Sequence, residues 1–306
     1  MGHFSNGFMN SSRNISEEKR ILERQIEIYN KRFLEVYIVV SLICLIANLL
    51  IIFVTLKYKR LRQEKWNIII LNWAIINCPL ILSAPITFGL TIYLTHLVGD
   101  STFCFVNHTE YTLFLIDIIL IVILTIYWYT KLYHTEKHKK FDQHIKCVLI
   151  FLYIFLIFLT ALNIDACYNS RMFSVMGLVL IITYLAFILF MPIINIMHAV
   201  KKRRLIDYSN RKNVPFMLTN ILFLSHLPGL LVVFTAPLLN LLTIQILMSV
   251  TFFIATLNPV YFLIVLYLCD RNYNIFLKHV FSCRCREYND ELVERPVSYN
   301  NGIENI

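Results

Sequence analysis

Three short stretches hold the residues able to do chemistry. Asp117, in YTLFLIDIILIVIL, is the one acidic residue well inside any long apolar run of the chain. A charge at membrane depth costs at least ~2.5–3.5 kcal/mol on insertion scales, so such residues face a bundle interior and serve function. His226, in FLSHLPG, carries the side chain most readily shifted across neutral pH. The run LNPVYFLIVLYLCD, Leu257 to Asp270, contains an Asn258-Pro259 pair. An asparagine amide in hydrocarbon needs a partner, and a proline removes a backbone donor and kinks a helix. Such defects are tolerated where neighbouring helices satisfy the freed groups. No second aspartate lies at that depth and no His-Glu-x-x-His motif is present, so catalysis, a metal and a cofactor are not expected.

The elements that must position these residues are long apolar blocks. The chain of 306 residues is 58% hydrophobic and 15% charged, with a mean hydropathy of +0.64, far from the composition of a soluble domain. Seven blocks approach the roughly 20 residues needed to cross a bilayer: 34–56, 67–93, 106–130, 146–164, 174–199, 215–235 and 241–268. The expected fold is an all-α membrane protein, a seven-transmembrane helix bundle. Residues 1–33 form a polar N-terminal segment, 34–269 the membrane domain, and 270–306 an interfacial helix with an acidic, disordered tail. In the first segment SEEKRILERQIEIYNKRF reads as helical. In the last, Tyr273, Phe276, Leu277 and Val280 share one helical face.

Charge placement sets the expected orientation. The loops after the first, third and fifth blocks hold five, five and six Lys and Arg; those after the second, fourth and sixth hold none, one and none. Cytoplasmic loops carry the basic excess, which puts the N-terminus outside. The net charge of +9 is divided among short loops and makes no contiguous basic face, so nucleic acid is not an expected partner. The N-x-S/T sequons at Asn10, Asn14 and Asn107 all fall in segments assigned outside. Cys104 and Cys167 lie in the outer loops, where a disulfide persists. Cys44, Cys78, Cys147 and Cys269 read as packing residues in or beside spans. Cys283 and Cys285, after the last span, are either reduced thiols or palmitoylation sites.

The pattern resembles the rhodopsin-like (class A) G-protein-coupled receptors. Asn48 in ANLLIIF matches the family's first-span asparagine, and LNWAIIN places Asn77 where the family carries aspartate. Pro192 matches the fifth-span proline. FLSHLPG is similar to the sixth-span Phe-x-x-Cys-Trp-x-Pro, keeping Pro228 and putting His226 at the tryptophan position. Asn258 and Pro259 match Asn-Pro-x-x-Tyr, with Phe262 at its tyrosine position. Pro85 resembles a second-span kink common in peptide-binding members. Three departures stand out. Thr130-Lys131-Leu132 replaces Asp/Glu-Arg-Tyr, the fourth-span tryptophan is missing, and Cys104 comes about two residues early.

The resemblance implies a plasma-membrane receptor for an extracellular peptide or small molecule, acting through a heterotrimeric G protein and arrestin. It pairs Cys104 with Cys167 and assigns coupling to Thr130 and Lys131, where a flexible point charge replaces arginine's fork. It brings Asn48, Asn77 and Asn258 together across three spans and, with Asn77 neutral, implies weak sodium sensitivity. It also places Asp117 at the floor of a ligand pocket facing His226, with which a hydrogen bond or ion pair is expected. Leu113, at the level of an aminergic aspartate, and Glu110 complete the expected pocket. A chemosensory receptor of similar fold and a non-coupling scavenger remain open. A small transporter fits less well, because paired broken helices are absent from the sequence pattern.

Overall fold

The computed structural model describes residues 5–93, 100–169, 173–202, 213–235 and 238–281. Ten helices cover them: α1 (Ser5–Lys57), α2 (Lys59–Gln63), α3 (Lys65–Tyr93), α4 (Asp100–Tyr133), α5 (Thr135–Asn169), α6 (Phe173–Lys202), α7 (Val214–Thr235), α8 (Leu241–Thr256), α9 (Asn258–Cys269) and α10 (Arg271–Phe281). No strand occurs among the described residues. Cys283 and Cys285 lie outside them. Asn10 and Asn14 fall within α1.

Six stretches are long and apolar enough to cross a membrane: Arg24–Lys57, Lys65–Leu90, Cys104–Tyr133, Thr135–Asp165, Ile182–Lys201 and Leu242–Cys269, the last spanning α8 and α9. In α7 the apolar stretch, Val214–Gly229, is shorter. The outer faces carry large apolar side chains, among them Ile46, Phe151, Ile157 and Leu189, each at least 60% exposed. Exposure on that scale suits lipid, and the chain is a multi-pass helical membrane protein.

Burial ranks the helices by position. In α4, 72% of the most apolar window is buried, against 22% in α5 and in α6. Helix α4 therefore forms the centre, packed on α3, α5, α6 and α7. Helix α1 closes the bundle against α3, α8 and α9. It continues toward the N-terminus without a break, its rings Tyr29, Phe33 and Tyr37 stack at 6.1 and 5.5 Å, and Phe33 and Tyr37 meet Phe88 of α3. Helix α4 likewise begins earlier than its apolar block, so Cys104 sits on helix rather than in a loop, as does the half-buried Asn107 at the start of that block. Cys104 and Cys167 form the expected disulfide, joining α4 to α5 with Cα atoms 5.7 Å apart.

Pro85, Pro192 and Pro228 lie inside helices. Pro259 does more than kink. Helix α8 ends at Thr256, and α9 starts at Asn258 with Pro259 in its first turn, where the missing N–H is not needed. Beyond α9, Tyr273, Phe276 and Leu277 of α10 are buried. Phe276 stacks on Tyr58 at 4.0 Å, and Thr55 and Tyr273 share a hydroxyl hydrogen bond of 2.8 Å. The apolar face expected to lie along the membrane is thus covered, at Tyr273, Phe276 and Leu277, by the base of the bundle.

Candidate functional site

A cavity of about 290 Å³ opens between α1, α3, α4, α6, α7, α8 and α9, in the half of the bundle that holds the disulfide. Helix α4 contributes Glu110, Tyr111, Phe114 and Asp117, the face expected of positions i, i+4 and i+7. Asn77, Leu80, Ile81 and Ala84 of α3 form one wall. Tyr184, Ser225 and His226 form another, and Met248, Thr251 and Phe252 of α8 a third. Asn258 closes the inner end.

Asp117, Glu110, His226, Asn77 and Asn258 thus share one chamber, but the expected pairings differ. The Asn77 amide donates to Asp117 Oδ1 at 3.0 Å, and Asp117 is 2% exposed. No bond joins Asp117 to His226. The His226 ring instead meets Phe114 edge-on at 5.3 Å, its Nε2 has no hydrogen-bond partner, and its carbonyl accepts from Tyr184 at 2.7 Å. Phe114 lies one turn from Asp117 toward the disulfide and occupies the ground that His226 faces.

The three asparagines are also not a mutual cluster. Asn48 donates to the Ala74 carbonyl at 3.1 Å and to the Cys78 thiol at 3.8 Å. Asn77 is committed to Asp117, and Asn258 Oδ1 is buried without a donor. Leu113 is a core residue, 7% exposed, and does not border the cavity. Both 113 and 114 stand within a turn of Asp117, and helix rotation selects Phe114. Glu110 lies near the outer end and accepts from Thr87 Oγ1 at 2.9 Å.

The opposite end of α4 is closed. Lys131 is exposed, and the Thr130 hydroxyl donates to its own helix at Ile126 O and Tyr127 O. The contacts between helices come from their neighbours. Trp128 stacks on Phe216 of α7 at 4.3 Å, and both rings pack against His198 of α6. Tyr133 Oη bonds His198 Nδ1 at 2.6 Å. Lys201 donates to Tyr129 Oη at 2.7 Å and sits over the Tyr129 and Tyr133 rings. On the other flank, Lys65 pairs with Asp142 at 2.8 Å, and Tyr127 donates to the same carboxylate at 3.1 Å. The sequence reading missed this aromatic clasp. Its trace was the run IYWYTKLYH, with four aromatic rings, at the end of the central span.

No protein-family model matches the chain, and no curated protein matches it.

Proposed function

We propose that the protein is a seven-span cell-surface receptor, with its N-terminus outside, that binds a ligand in the cavity and signals to a heterotrimeric G protein at the clasped end. One observation carries this reading: a largely apolar chamber holding a few buried polar groups at one end of the central helix, and a closed aromatic clasp at the other, both built on α4. Binding in the chamber can then bias the packing of α4 against α6 and α7, as a ligand shifts the balance of two arrangements.

Further features support it. The 22 residues of α7 extend ~33 Å at 1.5 Å per residue, long enough for a seventh crossing beside α4, α8 and α9. Among the described residues, the basic loops after the first and third blocks and the start of the one after the fifth fall at the clasped end, as cytoplasmic loops do, and the disulfide at the other, as an oxidising exterior favours. Arrestin and the bilayer would share the clasped face, where Lys131 is open.

The test is an energy-transfer panel of G-protein activation in cells with surface expression verified, comparing wild type, Lys131→Arg, Lys131→Ala and Tyr133→Phe. Freeing the clasp in Tyr133→Phe should raise basal signal, and Lys131→Ala should lower it. If all four reach the surface and none moves any G protein, the coupling assignment fails.

A further inference from the structure

The cavity offers hydrogen-bond acceptors at two depths and no fixed positive charge. Glu110 and Asp117 stand seven residues apart on one face of α4, a rise of ~10 Å along the axis, and both border the same space. Their donors are neutral: a threonine hydroxyl for Glu110 and an asparagine amide for Asp117. No Lys or Arg lies among the described residues lining the chamber. Two further buried groups on residues bordering this space are unpartnered. Asn258 Oδ1, on a residue 3% exposed, has no donor, and His226 Nε2, on a residue 8% exposed, has no partner. Between the acids the walls are apolar, with Phe114, Leu80, Ile81 and Phe252.

A buried carboxylate without a counter-charge is costly, and an ammonium group brings three donors and no acceptor. We propose that the cavity takes a linear aliphatic diamine, one ammonium on Asp117 with Asn258 and His226 beside it, the other on Glu110, and the carbon chain along Phe114. The inference rests on the cavity being the ligand site of the proposed receptor, and it specifies the chemistry of that ligand. A neutral or anionic ligand of the same length would offer neither acid a positive partner.

The test uses the purified full-length protein and thermal unfolding at fixed ionic strength. The probes are the eight-carbon terminal diamine, the eight-carbon monoamine, the eight-carbon diol, and sodium chloride varied against choline chloride. The diamine should stabilise most, the monoamine less, and the diol not at all. Glu110→Gln should weaken diamine binding about tenfold or more, the loss of one charge-assisted contact, while leaving the monoamine nearly unchanged. Asp117→Asn should weaken both, and Glu110→Gln alone decides the matter if that variant fails to fold.

Several results would overturn the proposal: a diol as effective as the diamine, equal affinity for diamine and monoamine with Glu110→Gln silent, sodium alone reproducing the stabilisation, or no shift from any probe in a protein that melts cooperatively. Diamine binding without G-protein activation would sink the receptor reading and leave this site standing. Activation by another ligand, with no diamine binding, would do the reverse.

Discussion

Two histidines, His198 and His226, are equally buried at 8% exposure and lie toward opposite ends of the bundle in opposite states. His198 is bonded: its Nδ1 meets Tyr133 Oη, and its ring packs against Trp128 and Phe216. His226 touches aromatic rings too, but its Nε2 has no partner and its neighbourhood is a void. Equal burial therefore marks different roles. At the clasped end Tyr133 and His198 bond one another, although Trp128 Nε1 is buried without a partner. At the cavity end His226 Nε2 and Asn258 Oδ1 are buried without one and border open space, the contrast on which the proposed ligand face rests.

Truncating one aromatic residue at each end gives the largest contrast. Trp128→Ala should destabilise by about 3–5 kcal/mol, the range for large aromatics in packed surroundings. Phe114→Ala should cost less than half as much, since part of its surface already faces the cavity. Equilibrium unfolding in bicelles measures both, and equal losses would erase the distinction. Next, Cys104→Ser and Cys167→Ser should each cost roughly 2–5 kcal/mol by the same amount, read as matching shifts of the unfolding midpoint without reductant.

A smaller effect separates the histidines themselves. His198→Phe removes the 2.6 Å bond from Tyr133 Oη to Nδ1 while leaving the longer contact to the residue's backbone carbonyl, and should lose about 1 kcal/mol. His226→Phe removes an unpartnered nitrogen and should be neutral or stabilising in the absence of ligand. Comparative melting of the two variants checks the ordering. The smallest effect lies at α10, where Asp270 Oδ1 accepts from the Tyr273 N–H at 2.9 Å and caps the helix. Asp270→Ala should cost about 1 kcal/mol. Burial pushes the Asp270 carboxyl above its ordinary range, so its folded form favours the proton and stability falls as pH rises through the raised value. Asp270→Asn keeps the cap and escapes that loss. Its advantage over wild type should grow from acid to neutral pH, as unfolding followed at several pH values would show.

Depth was legible in the sequence; azimuth was not. The resemblance set Asp117 opposite His226 and grouped Asn77 with Asn258, and the structure collects all four around one chamber. Which atoms meet depends on how each helix is turned about its axis, and an apolar run of Leu and Ile on all sides leaves that undetermined. Hence Asn77 took Asp117 and Phe114 took the place expected for Leu113. The same ambiguity placed Asn48 against a backbone carbonyl, an acceptor that every residue carries and no side-chain pattern announces. The buried face of α10 was readable because its apolar residues alternate with polar ones at helical period. The clasp was harder to see: its partners come from α4, α6 and α7, far apart in the chain.

The break at Leu257 bears on how the two ends communicate. Helix α8 supplies Met248, Thr251 and Phe252 to the cavity. Helix α9 carries Phe262, stacked on Trp73 at 4.1 Å, and leads into α10 at the base. Pro259 has no N–H to offer at the junction, yet the Leu257 N–H still bonds Phe253 O and the Val260 and Tyr261 N–H groups bond Leu257 O, so one bent turn joins the two segments. An occupant pressing on Met248 or Phe252 would load that turn, the thinnest part of the ladder, while Phe262 stays seated on Trp73.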